Sequence, residues 1–153
     1  MTKNVFKFLG GAVAIVAIGM GALFAIDYIR YQKSPEYQAE KQAEEIKKEY
    51  REDPYGGDTP EETLKLFIEA LKKGDIDLAA KYFVLDKQEE WRADLSQIQE
   101  KGLLDEMVGD LTSTKMTLKG EVAYFTLTRV NDLPSELVMH KNSLNNKWKI
   151  TEL

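Results

Sequence analysis

The first pattern along the chain is an uninterrupted apolar run near the N-terminus. From Phe8 to Ile26 the chain has 19 residues without a charged or strongly polar side chain. At roughly 1.5 Å per residue, a helix of this length spans about 28 Å, which matches the hydrocarbon core of a bilayer. The run therefore predicts a transmembrane helix over residues 8–29, preceded by a cytoplasmic tail over residues 1–7.

A cleaved secretory signal is the alternative interpretation of this run. Signal peptides have apolar regions of about 7–15 residues that end at a small-residue cleavage site. The run here is longer, and the stretch from Leu23 to Asp27 makes a poor cleavage site, which favours a retained anchor. Because the tail is too short to fold, we expect it in the cytoplasm and the rest of the chain outside, as in a single-pass protein of the bacterial inner membrane. The positive-inside bias is weak, since basic residues flank both ends of the run.

Small residues recur at helical spacing within the predicted span, at Gly10, Ala14, Ala17 and Gly21. Such a stripe lets two helix backbones approach closely in lipid, so these four residues are the candidates for helix association. Glycine and alanine are also common in membrane spans generally, and that interpretation stays open.

Beyond the span the chain becomes strongly charged and keeps a helical pattern. Ser34 and Pro35 form a helix start signal, and the residues that follow are mostly Glu, Lys, Gln and Ala. This predicts a charged stalk helix over residues 34–53. The proline and paired glycines that come next predict a hinge over residues 54–59.

Residues 60–153 carry the pattern of an α+β domain. Thr59 and Glu62 predict a capped helix that ends at Gly74, and a longer helix is expected from about Lys87 to Lys101. After Leu111 the period changes from helical to two. Four strands are expected, the first around Met116 and Leu118 and the others over residues 121–130, 136–144 and 147–153. Helices followed by a strand meander predict an antiparallel sheet with its apolar face covered by the helices.

Two segments of this domain resemble a known superfamily. The stretch TPEETLKLFIEALKKGDIDLAAKYF and the final NKWKITEL are similar to the opening and last strand of nuclear transport factor 2-like (cystatin-like) proteins, in particular bacterial membrane-anchored members of unknown function. The resemblance covers about residues 58–153 and implies a curved, cone-like sheet. It implies no single function, because that fold hosts enzymes, binding modules and assembly domains.

Charge and composition exclude several kinds of partner. Residues 34–153 hold 17 basic and 25 acidic side chains, a net charge of −8, which would repel a nucleic-acid backbone. The chain has no cysteine and one histidine, so thiolate metal sites are excluded. The adjacent pairs Glu44/Glu45 and Glu89/Glu90 point about 100° apart on their helices and do not converge on an ion. We therefore expect no metal, no cofactor and no nucleic acid.

The candidate ligand-binding residues are the histidine and four aromatic residues of the domain: Tyr82, Trp91, Tyr124, His140 and Trp148. Enzymes of the resembled superfamily, such as ketosteroid isomerases and small dehydratases, place an Asp or His base inside the cone with an oxyanion donor opposite. A surface histidine, structurally bonded tyrosines and core tryptophans are the ordinary alternatives. The pattern shows no convergent acid, base or nucleophile, so no catalytic residue is assigned.

Three functional hypotheses follow. The first is a membrane-anchored, non-catalytic extracytoplasmic domain that mediates protein–protein interaction or assembly, with the lipid bilayer and a protein partner or second copy as its partners. The second is a small-molecule-binding protein, or an isomerase- or dehydratase-like enzyme, that uses the cone cavity. The third is an accessory subunit of a larger membrane complex.

Overall fold

The structure is a computed structural model and describes Met20, residues 24–127 and residues 135–153. Most of the predicted span, and all four residues of its small-residue stripe, lie outside these described residues. Among the described residues, no helix is long and apolar enough to cross a membrane. The chain divides into two units, with the boundary between Lys47 and Lys48.

The first unit is helical and exposed. Residues 24–32 form a helix whose large apolar side chains are open to the surroundings, among them Phe24, Ile29 and Tyr31. Helix α1 (Pro35–Glu52) begins in this unit, continues past the boundary at Lys47 and has no buried residue. Its start is as predicted, because the Ser34 hydroxyl accepts a hydrogen bond of 3.2 Å from the Tyr37 N–H.

The second unit is an α+β domain with its helices before its strands, as the sequence predicts. Its helices are α2 (Pro60–Lys72), α3 (Ile76–Ala80), α4 (Gln88–Glu100) and α5 (Leu104–Thr112), with a 3₁₀ turn over Leu85–Lys87 before α4. The strands are β1 (Lys115–Lys119), β2 (Val122–Leu127), β3 (Ser135–Lys141) and β4 (Trp148–Glu152). They form one antiparallel sheet in chain order, which confirms the predicted meander.

Local capping explains where α2 begins and ends. The Thr59 hydroxyl accepts a hydrogen bond from the Glu62 N–H, and Gly74 follows the helix at a φ of +66°. Glu62 does not complete the expected capping box on Thr59. Its carboxylate accepts instead from the N–H of Asp58, one residue earlier, at 2.7 Å.

The strand predicted over residues 136–144 ends early, at Lys141. The Asn142 side chain accepts a hydrogen bond from the Leu144 N–H at 2.9 Å, and Asn146 adopts a φ of +61°. A side chain that bonds the backbone two residues ahead forms a turn, and this competes with the ladder.

The core lies between the helices and one face of the sheet. Its largest fully buried side chains include Phe67, Phe83, Leu95, Leu111 and Ile150. The β4 edge of the sheet is covered, because Ile150 donates to the Tyr82 carbonyl at 2.9 Å and Val84 donates to the Ile150 carbonyl at 3.0 Å. The opposite edge is β1.

Candidate functional site

The structure does not bring the five predicted ligand-binding residues together. Tyr82 and Trp148 are buried in the core, with exposed fractions of 6% and 5%. Tyr124 and His140 lie on the sheet face that points away from the core, since they alternate with the buried Ala123 and Met139. Trp91 is half-buried and lines a cavity. These positions give the five residues no common site.

His140 lies opposite Val122 and Lys149 in the sheet and is exposed to solvent. It therefore points away from the core side of the sheet, where an enclosed reaction would take place. Tyr124 is half-buried on the same outer face, and the Lys119 ammonium lies 5.3 Å from the centre of its ring. Neither residue contributes to the cavity.

The cavity has a volume of about 240 Å³ and lies between α4, α5 and one end of the sheet. Trp91 forms part of its wall and stacks on Phe83, with ring centres 4.5 Å apart. The lining is mostly apolar, from Trp91, Ile98, Leu103, Met107, Leu111, Leu127 and Leu153, with three polar residues, Glu106, Asp110 and Ser135. This composition suits a small apolar molecule with one polar or cationic group.

A buried ion pair joins β4 to the segment after α1. The Lys149 ammonium donates to the Asp53 carboxylate at 2.6 Å and to the Lys81 carbonyl at 2.6 Å. The two side chains are only 2% and 4% exposed. Burial lowers the pKa of Lys149, while its hydrogen bond to Asp53 acts in the opposite direction. Both side chains are buried and the ammonium is hydrogen-bonded within the chain, so the pair acts as a structural ion pair.

The residues predicted as a hinge make close contacts within the second unit. The Gly57 N–H donates to the Thr63 hydroxyl at 2.8 Å, and the Gly57 carbonyl accepts from the Trp148 N–H at 3.0 Å. Tyr55 packs edge-on against Tyr82, with ring centres 6.4 Å apart. The ion pair between Lys149 and Asp53 and these hydrogen bonds hold residues 53–57 against β4.

In the described part of the chain, the β1 edge of the sheet is open. Among the residues that the structure describes, β1 pairs with β2 and with no strand on its other side. An edge strand presents a row of unpaired N–H and C=O groups that can pair with another chain. All five residues of β1 are exposed.

The outward-facing backbone groups of β1 can be identified from its turn. Gly120, at a φ of +62°, lies in a two-residue turn that joins Lys119 to Val122. We infer that this closing pair exchanges both of its hydrogen bonds, after which bonded and non-bonded pairs alternate along the ladder. The N–H and C=O groups of Met116 and Leu118 then point away from β2.

Two apolar side chains of β1 are exposed on the core-facing side of the sheet. Met116 lies opposite Phe125, and Leu118 lies opposite Ala123. Phe125 and Ala123 are buried, yet Met116 and Leu118 are 36% and 52% exposed. Opposite residues share a face, so the apolar face of the sheet continues past the helices to its edge. The sequence predicts this strand, but no signal in it tells how far the helices extend over the sheet.

The ends of β1 are basic. Lys115 and Lys119 are the first and last residues of the strand, and they share its outer face with Thr117. No group of three or more His, Asp or Glu residues able to hold a metal ion occurs in the described part of the chain. The open edge is therefore defined by five residues with alternating apolar and polar side chains and a positive charge at each end.

The chain matches no known family, no curated protein and no solved structure.

Proposed function

We propose that this chain is a membrane-anchored, non-catalytic binding domain that takes up an extended segment of a partner protein at the open β1 edge, outside the cytoplasm. The observation that carries this proposal is the exposure of Met116 and Leu118 on the core-facing side of an edge strand whose outer side pairs with no described strand. An added strand would satisfy the free backbone groups and cover both apolar side chains.

The features of the β1 edge fit strand addition better than the features of any other described part of the domain fit catalysis. Main-chain hydrogen bonds give such an interface its affinity, and pockets for alternate side chains give it specificity. The β1 edge offers outward-facing backbone groups for such hydrogen bonds and two exposed apolar side chains for contact with alternate side chains of a partner. The five predicted ligand-binding residues, by contrast, are dispersed over the core, the cavity wall and the outer face.

Membrane attachment is supported by the apolar run from Phe8 to Ile26 and by the residues that follow it. Phe24, Ile26 and Ile29 are exposed on a helix, and in water these side chains would present an unfavourable apolar surface. A bilayer would cover it. Membership of the nuclear transport factor 2-like superfamily remains part of the proposal, supported by the order of helices followed by an antiparallel meander.

Photo-crosslinking from the full-length chain in its native membrane tests the proposal. A photoreactive residue replaces Leu118 in one variant and Leu144 in a matched control, since these leucines are 52% and 40% exposed. We expect position 118 to crosslink to one defined segment of one protein, identified by mass spectrometry, and position 144 not to do so. Crosslinking only to lipid or to scattered proteins at position 118 would contradict the proposal.

A second candidate function rests on the cavity of about 240 Å³ beside Trp91. Its apolar wall and acidic rim suit a small amphiphile, which would make the domain a carrier or an enzyme of the resembled type. Native mass spectrometry of the full-length chain from mild detergent tests this alternative. A discrete small adduct that is absent from Met107→Trp, where the larger side chain fills the cavity, would favour it over edge docking.

A further inference from the structure

The charges on β1 identify the kind of segment that its edge accepts, an inference that rests on the proposed docking at β1. We propose that the partner segment is an extended strand with the pattern acidic, apolar, any residue, apolar, acidic. The two acidic residues would lie opposite Lys115 and Lys119, and the two apolar residues opposite Met116 and Leu118.

The register follows from the alternation of side chains along β1. Lys115, Thr117 and Lys119 lie on the outer face, whereas Met116 and Leu118 lie on the core-facing side. In a paired strand, residues directly opposite each other share a face and interact through their side chains. An acidic residue on the outer face then meets each lysine, and an apolar residue extends the core beyond Met116 and Leu118.

The same charges disfavour a second copy of this chain as the occupant. An antiparallel copy that paired all five residues would place Lys115 opposite Lys119 at both ends of the interface, and like charges directly opposite destabilise a strand pair. Lysine on an edge strand is also a common device against self-association. The two lysines thus exclude one class of partner and select another.

None of the four described strands of the chain carries the required pattern. Among the described residues it occurs twice, at 36–40 and at 90–94, and both segments are helical. The occupant is therefore assigned to a different protein.

Peptide binding to the full-length chain in detergent micelles tests this assignment. Two labelled nine-residue peptides are used, identical except for their cores, EVTVE and KVTVK. Fluorescence anisotropy gives the affinities, and amide hydrogen exchange reports whether Met116 and Leu118 become protected. The unaltered chain should bind EVTVE at least about tenfold more tightly than KVTVK, because two favourable ion pairs are replaced by two repulsive pairs.

A charge exchange provides the decisive variant. Lys115→Glu/Lys119→Glu should reverse the preference, so that KVTVK binds more tightly than EVTVE. The control Lys73→Glu/Lys101→Glu changes the net charge equally at two other exposed lysines and should leave the preference unchanged. A change in preference that both double variants share would reflect net charge alone and would overturn the assignment.

The outcomes of these experiments separate the charge pattern of the partner from the docking at β1 on which it rests. Equal binding of both peptides, with protection of the Met116 and Leu118 amides, would overturn the charge pattern and leave edge docking intact. Binding without that protection, or no binding of either peptide, would contradict both. Self-association of the unaltered chain that is lost in Met116→Pro would show a second copy at the edge and overturn the acidic partner.

Discussion

The Lys149 ammonium is held inside the domain by three oxygen atoms from two separate segments of the chain. Asp53 accepts at 2.6 Å, the Lys81 carbonyl at 2.6 Å and the Tyr55 carbonyl at 3.4 Å. Such a group is stable only while its partners remain, because an uncompensated charge in the interior is strongly unfavourable. A single residue of β4 therefore fixes the path of the chain between α1 and α2.

Replacing Asp53 with alanine should lower the free energy of unfolding by about 3–5 kcal/mol, because it leaves the Lys149 charge buried without its counter-ion. Asp53→Ala/Lys149→Met should be more stable than Asp53→Ala, since the second change removes that charge. Urea unfolding followed by tryptophan fluorescence measures both. If the double variant were less stable than Asp53→Ala alone, the carbonyl contacts rather than the charge pair would dominate.

The lowered pKa of Lys149 also predicts how stability depends on pH. Between its pKa in the folded chain and its higher value in the unfolded chain, the unfolded state binds more protons, so stability rises with pH in that window. Burial raises the pKa of Tyr82, so above the ordinary tyrosine range stability should fall as the unfolded chain ionises first.

Unfolding measured from neutral pH to pH 11 in the unaltered chain and in Lys149→Met checks this dependence. The rise on the alkaline side should disappear in the variant, whereas the fall at the highest pH should remain. An identical rise in both chains would show that another group is responsible.

The sequence does not predict the buried ion pair between Lys149 and Asp53. In the alternation of β4, Lys149 has the position of an outward-facing polar residue, and Asp53 ends a charged helix like many solvated acids. Their burial depends on where residues 53–57 and 81 pass over the sheet. That path is a tertiary property, without a local signal in either segment.

At the level of elements, the contact of residues 56–57 with β4 depends on the absence of side chains. Gly56 adopts a φ of +110°, and a Cβ atom there would lie 2.4 Å from the Trp148 carbonyl oxygen. Gly56→Ala should therefore destabilise the domain by about 1–3 kcal/mol, the usual range for local backbone strain.

Gly109→Ala is the matched control, because that glycine lies inside α5 and nothing stands within 4 Å of the added atom. Alanine there should raise stability by roughly 0.5–1 kcal/mol through its better helix propensity. Thermal unfolding of both variants separates the two effects. Equal changes in the two melting temperatures would contradict the close approach of Gly56 to β4.

The elements with local signals are the ones that the sequence predicts well. The Thr59 cap, the Gly74 stop and the change of period after Leu111 correspond to observed boundaries, since each depends on residues within one or two turns. One predicted boundary is wrong, and there a nearby side chain competes for the backbone hydrogen bonds of the strand. The strand predicted to reach residue 144 ends at Lys141, because the Asn142 side chain forms a turn with Leu144.

At the scale of the whole molecule, the two edges of the sheet differ in what covers them. β4 is bridged by residues 82–84, whereas β1 pairs with β2 and has no described strand on its outer side. The order of the strands along the chain leads to the expectation that β1 and β4 lie at the edges, but only the fold tells which edge is open. The same holds for Met116 and Leu118, which the alternation assigns to the apolar face without showing that the helices leave them uncovered.

We propose that the β1 edge is paired with a partner strand in the native membrane. The most direct measurement is amide hydrogen exchange at single-residue resolution on the full-length chain, first in native membranes and then after purification. The N–H groups of Met116 and Leu118 should exchange slowly in the membrane and rapidly in the purified chain. The Thr117 N–H, which the inferred ladder directs toward β2, should be protected in both. Rapid exchange of Met116 and Leu118 in both preparations would contradict the claim.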